Sequence, residues 1–205
     1  MNNTLAANAG PQEYLLLANA LMRRDPETVE KILHDGLQKF PSASGFHLLL
    51  GELHAARRED AEAFYEFQWE LLRTGGERPT GAEAAKRSAD LLRSSKVPRE
   101  LVDLTRAVAG MKKDPKAARQ LLERMIRERG DRFVLRLYFC EAVQRTGDVP
   151  GAIEIYRNLL QRDPYFVPAY VQLGELLDQS GKFEEAKALR AKAQSIDPEH
   201  WRLVS

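Results

Sequence analysis

The chain has 205 residues, 43% apolar and 30% charged, which is enough apolar material for a core in one large or two small units. No apolar run approaches the ~20 residues of a membrane helix, and the N-terminus MNNTLAANAG lacks the basic start and apolar stretch of a signal peptide. Net charge is +1, but residues 1–77 carry −5, 78–132 carry +7 and 133–205 carry −1; the single cysteine, Cys140, excludes an internal disulfide framework and a multi-cysteine metal site.

In chain order, residues 10–43 read as a helix pair. Leu16, Ala20, Val29 and Leu33 are its apolar positions, RRDPETVE its inner turn and Pro41 its end. Residues 44–77 repeat the outline with Leu50-Gly51, Ala63, Phe67 and a helix-stopping Gly75. This stretch holds AFYEFQWELL, the densest aromatic run. Phe64 and Phe67 fit the inner face, whereas Tyr65 and Trp69, four apart, share another face.

Residues 78–98 break the pattern. PTGAEAAKRSADLLRSS predicts one separate helix over 81–94, opened by a Thr80/Glu83 capping box, with Ala84, Ala85, Ala89, Leu91 and Leu92 as its apolar face. That face is expected to cover Tyr65 and Trp69. Residues 99–132 then carry Ala109, Ala118, Leu122 and Met125 around a KKDPKAARQ turn.

The last two stretches are the most regular. Residues 133–166 carry Phe139, Cys140, Val143, Ala152, Tyr156, Leu159 and Pro164, and Cys140 falls where a small residue lets two helices approach. Residues 167–200 predict one helix over 168–180, with Tyr170, Leu173, Leu176 and Leu177 on one stripe. Gly181 closes it, a second helix over 183–195 turns Ala186, Leu189 and Ala193 inward, and Pro198 ends the unit. Residues 201–205 remain as a tail.

Asp163-Pro164 and Asp197-Pro198 are offset by 34 residues, as are Gly147 and Gly181, Ala152 and Ala186, and Glu141 and Glu175. A fixed period of this size marks a repeat architecture, in which each unit buries its apolar face against the next. The positions of Tyr170, Leu173-Gly174, Leu177, Ala186, Ala193 and Pro198 resemble the tetratricopeptide repeat family, with Arg190 replacing its second aromatic. The resemblance implies an all-α fold, a right-handed α-solenoid of antiparallel helix pairs with about eleven helices. Two N-terminal repeats (10–77), an inserted helix at the junction (78–98) and three C-terminal repeats (99–200) are expected.

Catalytic signals are missing from the sequence. His47 and His54 lie seven apart, ~10.5 Å of helical rise, too far to share one metal without distortion. No Gly-rich phosphate loop, nucleophile elbow or calcium loop is present, so no enzyme, metal or cofactor is expected. Acids interleave the basic residues of 78–132, the pattern of a solvated helix face, and nucleic acid is not the expected partner.

The resemblance implies binding through the concave face lined by each repeat's first helix. The expected lining is Tyr14, Ala18, Leu21 and Met22; Leu48, Glu52, Ala55 and Ala56; Leu137, Glu141, Gln144 and Arg145; and Val171, Glu175, Asp178 and Gln179. The family's chaperone-binding members clamp a carboxylate with Lys and Asn in this face. Here Leu or Val and Glu stand instead, so a protein or peptide with a basic segment is expected. A structural subunit of a bacterial envelope or secretion assembly is the alternative, and self-association is compatible with either. The cytoplasm is the expected compartment, or the periplasm if a signal sequence has been removed.

Overall fold

The computed structural model describes residues 8–76, 78–94 and 96–199. The tail 201–205 and His200 lie outside them. Eleven helices and no strand occur among the described residues. They are α1 (Pro11–Leu21), α2 (Pro26–Lys39), α3 (Phe46–Ala56), α4 (Asp60–Thr74), α5 (Pro79–Leu92), α6 (Arg99–Gly110), α7 (Pro115–Arg129), α8 (Phe133–Arg145), α9 (Val149–Arg162), α10 (Val167–Gln179) and α11 (Phe183–Ile196). The all-α expectation and the helix count are borne out.

The chain divides into two units, Met1–Val97 and Pro98–Ser205. In the first, α1 packs on α2, α3 on α4, and α5 on α4, with lighter contacts of α3 to α1 and α5. In the second, α6–α7, α8–α9 and α10–α11 form helical hairpins, and α7 meets α8 as α9 meets α10.

Turn chemistry sorts these hairpins into two kinds. At α1–α2 and α6–α7 four residues intervene, and an aspartate caps the second helix: Asp25 Oδ1 accepts from Thr28 N–H at 3.1 Å, and Asp114 Oδ1 from Ala117 N–H at 2.9 Å. Pro26 and Pro115 then fill the first helical position, where a missing N–H costs nothing. At α3–α4, α8–α9 and α10–α11 three residues intervene, and a left-handed residue makes the bend. Gly147 (φ +85°) and Gly181 (φ +75°) do so as the sequence predicts, but Arg58 takes φ +61° at the matching place between α3 and α4.

In the two hairpins with Asp-Pro turns, the first helix turns a different face inward from the one the 34-residue frame gives. The packing residues expected of α1 and α6 are therefore corrected. Leu16 is 69% exposed and Ala20 and Ala109 are also exposed, whereas Tyr14, Ala18, Leu21 and Ala107 are buried. Tyr14, Ala18 and Leu21 join Val29, Leu33, Phe46, Leu50 and Leu53 in the core of the first unit.

Helix α5 departs from expectation twice. It begins at Pro79 behind Arg78, with no side-chain cap, instead of behind Thr80. Glu83 ion-pairs with Arg87 at 2.9 Å. The start is fixed by backbone packing: a Cβ on Gly81 would fall 1.9 Å from the Gly75 carbonyl oxygen. The second departure is the face it covers. Ala84 and Leu91 pack with Ala63, Phe67 and Leu71, and Gln68 Nε2 donates to Ser88 Oγ at 3.0 Å. Trp69 lies two residues from Phe67, about 200° around α4, and stacks instead on His47 of α3 with centroids 4.5 Å apart. Phe67 also lies against the bare backbone of Gly51 on α3, so that it packs between α3 and α5.

The second unit packs largely through apolar side chains. Cys140 is fully buried, its Sγ 3.3 Å from the Ala152 carbonyl oxygen, and burial pushes its thiol up to about 12, so it stays protonated and packs as a small apolar residue.

Candidate functional site

The expected binding residues fall into three physical states. Tyr14, Leu21 and Val171 are core: Tyr14 is 3% exposed with its hydroxyl donating to Asp35 at 2.8 Å, Leu21 is 8% exposed, and Val171 packs with Val167, Tyr170 and Ala193. Met22, Leu48 and Leu137 are half-buried. The third group is at the surface and polar, and most of it is engaged in ion pairs.

In the second unit, α8 presents Glu141, Gln144 and Arg145. Both Nε and Nη2 of Arg145 reach one oxygen of Glu141, at 3.0 and 2.8 Å. On α10, Asp178 receives Arg190 Nη1 at 2.7 Å, while Glu175 and Gln179 are exposed. The Asp178 partner holds the Arg190 guanidinium above its ordinary range. Glu175 stands without an ion-pair partner among the described residues.

In the first unit, α3, the start of α4 and α5 enclose a cleft of about 360 Å³. Glu52 and Ala55 of α3 line one wall, Asp60 opens α4, and Arg87, Asp90, Leu91 and Ser94 of α5 line the other, with Phe67 beneath. Arg87 ties the walls together, with Nη2 3.1 Å from Glu52 and Nε 2.9 Å from Glu83. Such half-exposed pairs are individually weak, worth ~0.2 to 1 kcal/mol, but this one spans two helices. The sequence marked Glu52 and Ala55 but missed Arg87 and Leu91, which lie in the helix outside the repeat pattern.

The two helical histidines are far from forming a metal site. His47 is buried against Trp69 with Nδ1 2.7 Å from Glu66 Oε2, and His54 Nδ1 lies 2.6 Å from Glu59 Oε2. Among the described residues no group of three or more His, Cys, Asp or Glu is placed to hold a metal ion. None of the described helices is long and apolar enough to cross a membrane.

Residues 144–205 match the family model of the tetratricopeptide repeat. Over that stretch the match bears out the resemblance to the tetratricopeptide repeat. Among solved structures the chain is similar to YrrB, described as a TPR protein with an unusual peptide-binding site, at 18% identity and TM-score 0.47, covering 94% of this chain and 89% of that one. It is similar to the TPR2AB domain of yeast Sti1 in its pHSP90 complex at 16% identity and TM-score 0.46, covering 97% and 82%. For MamA from Desulfovibrio magneticus RS-1 the identity is 16% and the TM-score 0.42, covering 96% and 99%. No curated protein matches the sequence.

Proposed function

We propose that the protein is a non-catalytic interaction scaffold that takes a peptide or an extended segment of a partner protein on the faces of its first helices. One observation supports this most. The cleft on α3 exposes residues of the expected binding register, Glu52 and Ala55, beside an apolar floor. Repeat proteins of this kind commonly bind along such surfaces. On α1, where Tyr14, Ala18 and Leu21 are buried, the surface left is Leu15, Asn19 and Met22, which are half-buried or exposed. On α8 and α10 the corresponding surface is Glu141, Gln144, Arg145, Glu175, Asp178 and Gln179.

The acidic members favour a partner with a basic or polar segment, with salt-sensitive association. Site-specific photo-crosslinking tests the reading. A benzophenone side chain at Ala56, Gln144 or Gln179 should crosslink one and the same partner. The same group at Arg124 of α7 or Glu154 of α9, exposed on second helices, should not. Crosslinks only from the second-helix positions would overturn the proposal.

A further inference from the structure

From the walls and floor of the α3–α4–α5 cleft we infer that it is a subsite for one lysine or arginine side chain of the partner segment. The inference rests on the peptide-binding reading above and deepens it. At about 360 Å³ the cleft lies at the small end of the ~300 to 1,000 Å³ of ligand pockets, with room for a long side chain but not for a folded element.

Its lining offers two kinds of contact. Ala55, Phe67 and Leu91 are the apolar part, Phe67 being 1% exposed, and Ala55 and Leu91 half-buried. Glu52, Asp60 and Asp90 supply three carboxylates against the single guanidinium of Arg87. Long cationic side chains bury an apolar stem while keeping a charged head at polar groups, and this lining offers both partners. A neutral apolar side chain would use the floor alone, and an acidic one would meet the three carboxylates.

The charges are available in different degrees. Glu52 is committed, since Arg87 holds it at 3.1 Å and Glu83 holds Arg87 from the other side. Asp60 has no ion-pair partner among the described residues. Asp90 pairs only with Arg93, three residues on, where both side chains are at least half exposed. That contact is weak and exchangeable. The incoming head group therefore meets Asp60 and Asp90, while Arg87 keeps its own two carboxylates. The other office of Asp60, an acid in the first turn of α4, is compatible with this, because a helix N-terminus favours but does not neutralise a carboxylate.

Three blocked tripeptides, acetyl-Ala-Lys-Ala-amide and its norleucine and glutamate counterparts, titrated into the full chain with methyl NMR detection, test the assignment. The lysyl peptide should shift the methyl signals of Ala55 and Leu91 saturably. The norleucine peptide, which keeps the stem and lacks the charge, should bind about fivefold more weakly or less, and the glutamyl peptide should not bind. Asp60→Asn combined with Asp90→Asn should lower lysyl affinity by about fivefold, with the core methyl signals of Leu33 and Leu50 unmoved. Equal binding of lysine and norleucine, lysyl shifts elsewhere, or an unchanged affinity in the double variant would each overturn the subsite. Tighter binding of free spermidine than of the lysyl peptide would overturn its assignment to a protein segment. Photo-crosslinking from Gln144 and Gln179 reads the broader proposal independently, so the two can fail separately.

Discussion

The hairpins α3–α4 and α10–α11 occupy the same places in the 34-residue frame and solve the same packing problem differently. In both, a glycine on the first helix faces position 24 of the unit. Gly51 meets Phe67, whose ring is so close that a Cβ on the glycine would lie 2.4 Å from it. Gly174 meets Arg190, and a Cβ there would lie 3.5 Å away, at ordinary contact distance. Three positions further on, α4 buries Glu70, which accepts from Gly45 N–H at 2.8 Å, whereas α11 buries Ala193. Identical repeat positions thus do not carry identical energies. The first hairpin is specified by one tight contact and a buried polar group, the second by small side chains and a surface ion pair.

The sharpest way to break the comparison is to remove the side chain at position 24. Phe67→Ala deletes a fully buried ring and opens a cavity against Gly51, Ala63 and Ala84, so it should cost about 3–5 kcal/mol. Arg190→Ala removes a half-exposed ion pair with Asp178 and should cost within about 1 kcal/mol. Urea unfolding followed by Trp69 fluorescence, in a Trp201→Phe background, reads the first; circular dichroism reads the second. Comparable losses would mean that α11 leans on Arg190 for packing more than its geometry implies.

Substituting the paired glycines should separate the hairpins by sign. Gly51→Ala forces the buried Phe67 ring aside, and overpacking of this kind costs about 1–3 kcal/mol. Gly174→Ala meets no such obstacle and gains helix propensity, up to about 1 kcal/mol. Thermal unfolding of the two variants should therefore shift in opposite directions. A destabilised Gly174→Ala would show that α10 and α11 approach more closely than 3.5 Å allows.

How much of this was legible follows from where the information sits. Turn residues act locally, so Gly147, Gly181, Asp25-Pro26 and Asp114-Pro115 announced the bends correctly. The period placed Ala63, Ala118, Ala152 and Ala186, all now buried. It failed on α1 and α6, the first helices of the hairpins with the longer Asp-Pro turns, where Tyr14 and Leu21 go inward and Leu16 outward. The partner of Glu52 was also hidden, because Arg87 is 35 residues away in a helix that the repeat does not describe. Nothing in the local pattern of AFYEFQWELL separates the Phe67 face of α4, which α5 covers, from the Trp69 face.

The smallest expected effect concerns the bend itself, where the hairpins differ by a single residue type. Arg58 and Gly181 occupy the same position and both take positive φ, +61° and +75°. For an L-residue with a Cβ this conformation costs ~1 to 2 kcal/mol, whereas glycine reaches it freely but loses more entropy on folding, ~0.5 to 1 kcal/mol. The difference leaves Arg58→Gly stabilising by about 0.5–1 kcal/mol. Gly181→Ala, which puts the strain into a bend that lacks it, should be destabilising by a similar amount although its Cβ would meet nothing within 4 Å. Because the Arg58 side chain is exposed, its removal uncovers no core. Both changes should leave the helical content by circular dichroism unaltered and move only the unfolding midpoint. If Arg58→Gly lowers stability instead, then the α3–α4 bend is held by contacts of the Arg58 side chain rather than by its backbone. The strained residue would then be part of what keeps α3 and α4 in register beneath the cleft.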